Sequence, residues 1–217
     1  GEVLLPMREL NQIRRRAVEL LENERKKPRR YTKYAVNEYA DAVKLPSVMP
    51  EVTEPELKVL CRSMEQVNAV AEDPDITWIY ADFEFIKQYP AAVESARQHG
   101  KRIALATPRI HMPGETGYFN MIAKLEPDAV LVRNTGAVYY YMKRRQEQPD
   151  AVHPMLIGDF SLNAANHKTV ALFHDAGCEL VTPSYDLNIQ QMVDLLRCCD
   201  TSKLELVIHQ HLPMFHT

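Results

Sequence analysis

Short apolar runs rich in β-branched residues recur along this chain at a nearly constant interval, and that interval constrains the fold more than any other feature. Seven runs occupy 57–61 (LKVLC), 76–81 (ITWIYA), 102–107 (RIALAT), 128–133 (DAVLVR), 154–158 (PMLIG), 179–183 (ELVTP) and 204–209 (LELVIH). Five of the six intervals between their centres are about 26 residues, the length of one strand, one helix and two short connections. The stretches between them read as helices: 64–71, 91–99, 118–125, 168–176 and 189–198, with Gly100 and Gly177 placed where helices end.

Steady strand–helix alternation with near-continuous apolar strands implies an α/β fold with a parallel sheet covered by helices. The sheet is either doubly wound or closed as a barrel. Constant unit length favours the barrel, and with only 7 glycines in 217 residues no G-x-G-x-x-G or G-x-x-x-x-G-K-[ST] string is present to mark a nucleotide fold. The expected architecture is therefore a TIM-barrel-like β/α repeat of about seven strands, an incomplete barrel.

The repeat begins only after residue 55. Before it, residues 7–27 place Leu10, Ile13, Ala17, Leu20 and Leu21 at helical spacing, and Pro28 closes that amphipathic helix. Pro46, Pro50 and Pro55 then punctuate an aperiodic stretch. The expected organisation is 1–55 as N-terminal helix and linker and 56–217 as the barrel-like domain. Net charge is −3, yet residues 1–34 hold 10 Lys/Arg against 5 Asp/Glu, so the basic character is local and argues only weakly for nucleic acid. Cys61, Cys178, Cys198 and Cys199 show no C-x-x-C spacing and read as reduced thiols, which with the lack of a signal-peptide pattern or a long apolar run points to a cytoplasmic protein with no membrane partner. A start without Met and a stop straight after an apolar segment suggest a domain cut from a longer chain, whose remainder would be a partner.

Each apolar run ends in polar or ionisable residues: Arg62; Asp82 and Glu84; Thr107 and Arg109; Arg133 and Asn134; Asp159, Ser161 and Asn163; Ser184, Asp186 and Asn188; His209 and His211. In a parallel barrel the C-terminal strand ends converge on one mouth, so these residues would share one polar cleft. Strand ends are also where helices want Asp, Asn and Ser as N-caps, a plain structural use for the same residues. Three arginines fit capping poorly. They fit either an anionic ligand or Arg–carboxylate pairs within the mouth. His209 and His211, two apart on a presumed strand, would point to one face and could chelate a divalent metal, with Asp82, Asp159 or His216 completing the set. No G-x-S-x-G elbow supports a serine triad at Ser161 or Ser184. Cys198–Cys199 and Tyr139–Tyr141 read as helical packing residues.

The strings LNQIRRRAVELL (10–21), GDFSLNAAN (158–166), VTPSYDLNIQQM (181–192) and LELVIHQHLPMFHT (204–217) resemble the U32, collagenase-like, peptidase family through nearly the whole chain, as the later portion of a larger member. The resemblance implies a TIM-barrel-like core and a peptidase label without defined catalytic residues, with a polypeptide as substrate. It also implies an alternative. Other members of the family are linked to hydroxylation of transfer RNA, ribosomal RNA or quinone precursors, with an iron–sulfur cluster held by cysteines that begin after the segment matching His209–His216. No cysteine of this sequence matches those ligands, and RNA follows polypeptide as candidate partner. A third expectation is a non-catalytic substrate-docking domain. The resemblance carries over Asp159, Ser161, Asn163, Asn166, Ser184, Asp186, Asn188, His209 and His211 as mouth residues. For hydrolysis, a metal or a carboxylate base, Asp159 or Asp186, would activate water, and Arg133 or Asn163 would hold the oxyanion.

Overall fold

The computed structural model describes residues 6–28 and 54–211. The chain divides into two compact units, 1–44 and 45–217. In the first, α1 (Met7–Lys26) is one amphipathic helix with Arg25 and Lys26 in its last turn, where cations complement the helix dipole. It stops where expected, because Lys27 precedes Pro28 and is pushed to an extended backbone (φ −60°, ψ 132°).

The second unit runs β1 (Lys58–Cys61), α2 (Met64–Ala71), β2 (Trp78–Ala81), α3 (Tyr89–Gln98), β3 (Arg102–Ala106), α4 (Gly117–Lys124), β4 (Ala129–Val132), α5 (Thr135–Glu147), β5 (Met155–Gly158), α6 (His167–Asp175), β6 (Leu180–Val181) and α7 (Ile189–Leu196). The six strands are all parallel and lie side by side in chain order. A sheet wound in one direction by crossovers of one hand must carry all its helices on one face. The core shows this directly. Ile79, Ile103, Leu105, Val130, Val132, Leu156 and Val181 pack with Val67, Val93, Phe119, Ile122, Tyr141, Val170 and Leu195 from the helices. The alternate strand residues Trp78, Tyr80, Ala104, Ala106, Ala129, Leu131 and Ile157 form a second cluster containing no helix residue.

That second face is the inside of a curl. In a flat sheet, six steps of about 4.8 Å would separate β1 from a seventh strand position by roughly 29 Å. Instead Lys58 Nζ on β1 lies 2.6 Å from Oε1 of Glu205, which follows β6. Tyr80 donates its hydroxyl proton to the same oxygen, and Thr182 reaches Oε2 at 3.5 Å. Burial, together with the Glu205 charge and hydrogen bond, drives the Tyr80 phenol far above its ordinary pKa. The architecture is a curled, parallel half-barrel of TIM-barrel type.

The seventh run forms no strand. It contributes one parallel bridge, Val181 with Leu204, and Glu205 N–H donates to Val181 O at 3.1 Å. Beyond that, Leu206, Val207 and Ile208 are exposed, so β-branched composition alone did not recruit a ladder. β6 itself stops after two residues; Pro183 lies just beyond, without an N–H to extend the pairing. The five helical stretches match α2, α3, α4, α6 and α7 within a few residues. The sequence marks α5 only around Tyr139–Tyr141, though it is the longest helix of this unit. Cys198 and Cys199 fall just past α7, whose C-cap is Arg197.

Replacing Glu205 by Ala leaves the Lys58 ammonium, only 16% exposed on the inner face, with Glu56 at 4.0 Å as its remaining carboxylate. Urea unfolding of this variant is expected to show a loss of about 2 kcal/mol.

Candidate functional site

Arg133 follows β4 directly and is 6% exposed, a position where an ionised group is costly unless paired. Its Nη1 and Nη2 donate to the two oxygens of Asp82, after β2, at 2.6 and 2.8 Å. Its Nε lies 3.4 Å from Oδ2 of Asp159, after β5, as an ion pair without hydrogen-bond geometry. Burial opposes the guanidinium charge, but Asp82 and Asp159 outweigh it and raise its pKa above the ordinary arginine value. Around this triad, Thr107 Oγ1 accepts the Arg133 N–H at 3.0 Å. Ser161 Oγ lies 2.8 Å from Asp159 Oδ2 and 2.9 Å from Arg133 O, sharing one proton between them. Tyr89 donates to Ala106 O at 2.7 Å, its phenol pKa raised by burial and by Asp82.

Other contacts draw in the remaining strand ends. Arg62 Nε, after β1, sits 3.8 Å from Asp82. Arg109, after β3, lies over Phe160 at 5.0 Å, and Phe160 meets Tyr185, after β6, edge-on at 4.9 Å. Ser184, 3% exposed, donates to Ala164 O through its N–H and to Asp186 through its hydroxyl at 3.3 Å. The Asp186 carboxylate itself is exposed. The loops after β1, β2, β4 and β5 are thus joined by ion pairs, and those after β3, β5 and β6 by a stack of side chains.

The individual residues fare differently. Asn134, Asn166 and Asn188 each accept the N–H of a residue three positions on, capping α5, α6 and α7; Asn188 completes a capping box with Gln191. Their side-chain carbonyls are thereby occupied. Asn163 caps a 3₁₀ turn with a left-handed backbone (φ 54°), a conformation Asn tolerates, and its side chain is exposed. Glu84 is exposed too. The arrangement of Arg133 with both carboxylates is the paired-charge alternative for the strand-end arginines, and a side chain so enclosed does not fit an oxyanion donor.

His209 and His211 do not share a strand face, because residues 205–211 are not a strand. Both are exposed, with ring centroids 5.4 Å apart in a T-shaped arrangement. Among the described residues no group of three or more His, Cys, Asp or Glu is placed to hold a metal, and none of Asp82 and Asp159 accompanies the histidines. His216 lies outside the described residues. Cys61, Cys178 and Cys199 are buried. No described helix is long and apolar enough to cross a membrane. Sequence reasoning passed over Tyr89, Phe160, Tyr185 and Glu205. Phe160 and Tyr185 were signalled by one feature, an aromatic residue between Asp and Ser after consecutive strands, in opposite order.

No protein-family model matches the sequence, and no curated protein compared with it matches either. Among solved structures, that of the U32 peptidase Mk0906 superimposes with a TM-score of 0.53 at 14% identity, over 74% of this chain and 70% of that one. At that identity the likeness is one of fold, and it agrees with the half-barrel described above.

Three outcomes follow from the burial pattern. Arg133→Met leaves Asp159 buried without a cation and Asp82 with Arg62 alone at 3.8 Å, and should lower the unfolding free energy by about 3 kcal/mol in chemical denaturation. Burial pushes the Cys61 and Cys199 thiols up to about 11 and Cys178 up to about 12, from 9.0. As pH rises through 9, unfolded thiols lose protons that the folded state keeps. Stability should therefore be unaffected by these groups below pH 9 and fall steadily between 9 and 12. A thiol reagent at pH 8 should label Cys198 quickly and the other three only on unfolding.

Proposed function

We propose that the mouth binds an extended polypeptide and that the chain is the barrel of a peptide hydrolase. The observation that carries this reading is the contrast between the two strand-end carboxylates that follow β5 and β6. Asp159 is 3% exposed and held by Arg133 and Ser161, so it cannot leave its partners to take a proton from water. Asp186 is exposed, bonded only to Ser184, and free to meet solvent and substrate.

Asn163 belongs to the adjoining loop, whose Ala164 carbonyl accepts the Ser184 N–H at 3.1 Å, while Ser184 holds Asp186. In the proposed reaction, Asp186 takes a proton from water as the water oxygen attacks the peptide carbonyl. The Asn163 amide donates to the resulting oxyanion, and the proton passes to the amine as the C–N bond breaks. Asp82, Arg133 and Asp159 position the loops and do not touch the reacting atoms. The U32 peptidase fold and the strings that resemble that family support the substrate class.

Release of peptides from gelatin by the full chain tests the reading. Asp186→Asn should reduce release by at least about 100-fold while leaving the thermal midpoint unchanged, and Asp159→Asn should lower the midpoint. Release that persists undiminished in Asp186→Asn would remove the assignment.

A further inference from the structure

Of the three guanidiniums at the mouth, Arg109 alone has no carboxylate partner among the described residues. Arg133 is occupied by Asp82 and Asp159, and Arg62 leans on Asp82 at 3.8 Å. Arg109 is held by a ring instead, its guanidinium carbon 5.0 Å from the centroid of Phe160. Phe160 is 5% exposed and is itself braced edge-on at 4.9 Å by Tyr185, which is 48% exposed. The stack joins the loops after β3, β5 and β6, with Phe160 as the ring that meets the cation. A guanidinium lying over a ring is attracted by the ring's negative face and keeps its N–H donors at its rim. Here no acceptor in the described chain uses those donors.

We propose that Arg109 sets the specificity of the peptide site by receiving the carboxylate of an acidic substrate side chain, with Tyr185 offering an apolar surface to the neighbouring residue. The inference rests on the reading of the mouth as a polypeptide site and names the class of polypeptide. A rimmed guanidinium suits a carboxylate because two parallel N–H donors match its two oxygens. A phosphate polymer is disfavoured by the surroundings. Of the strand-end charges, Asp82, Glu84, Asp159 and Asp186 are acidic and Arg62, Arg109 and Arg133 basic. A polyanion needs several unpaired cations in a row, whereas a single carboxylate needs one. Arg109 also covers Phe160, and Arg109→Met retains that cover without the charge.

The experiment passes a tryptic digest of gelatin over the immobilised full chain and measures, by mass spectrometry, the Asp and Glu content of the peptides retained. Wild-type protein should enrich acidic peptides at least fivefold over neutral ones, and methyl esterification of the digest should abolish the enrichment. Arg109→Met should retain peptides with no acidic enrichment, at an unchanged thermal midpoint; Arg109→Gln serves if the Met variant does not fold. Peptides retained without enrichment, or enrichment that survives both esterification and loss of Arg109, overturn the role of Arg109 and leave the polypeptide site standing. Retention of no peptide at all removes the site and this inference together. Displacement of retained peptides by an RNA decamer at equal concentration, lost in Arg109→Met, assigns the cation to phosphate and overturns the proposal.

Discussion

A buried guanidinium has few ways to remain in a folded protein, and Arg133 uses the most demanding of them. Desolvating one ion costs several kcal/mol, which only well-placed counter-charges offset. The counter-charges come from the loops after β2 and β5, on either side of the strand that Arg133 terminates, with β3 lying between Asp82 and Arg133. Those loops cannot drift without exposing an unpaired charge to an apolar wall. The pairing thus fixes where those loops sit, and it leaves Arg109 and Asp186 outside the triad.

The curl that carries these loops has its own physical cause. A strand-to-strand order with helices on one face leaves the opposite face unprotected, and curling is the way to bury it. Trp78, Tyr80, Leu131 and Ile157 are buried there in a cluster that holds no helix residue among the described residues. Glu205 then bridges the two ends of the curl by meeting Lys58, Tyr80 and Thr182. One carboxylate answers a cation and two hydroxyls that would otherwise face an apolar interior. The same curvature that makes this reach possible brings the C-terminal strand ends together above it.

Strand spacing was plain in the sequence because it depends on local pattern: apolar runs, their interval, and Gly100 and Gly177, both at positive φ just past α3 and α6. The polar residues at strand ends were legible as a group for the same reason. Their individual uses were not. Asn134, Asn166 and Asn188 look alike whether they cap a helix or hold a substrate, and the backbone N–H three residues on settles it. Arg133 and Asp82 are 51 residues apart, so no local pattern could show that one consumes the other. His209 and His211 depended on a seventh strand, and a β-rich run becomes a strand only when a neighbour offers it a full ladder. The bridge at Leu204 offers one rung.

The motifs Asp159-Phe160-Ser161 and Ser184-Tyr185-Asp186 show how burial divides labour between similar sequences. Each pairs a carboxylate with a hydroxyl two residues away, and their central rings touch. The order is reversed, so the residue nearest the strand is an acid in one and a hydroxyl in the other. That residue is the buried one in both cases: Asp159 and Ser184 are each 3% exposed. Burial of a carboxylate requires a cation at hand, and after β5 Arg133 supplies it. After β6 no guanidinium of the described residues reaches, and the buried position holds a neutral hydroxyl while the acid lies outward in water. A single buried cation thus separates a paired, enclosed acid from an exposed one.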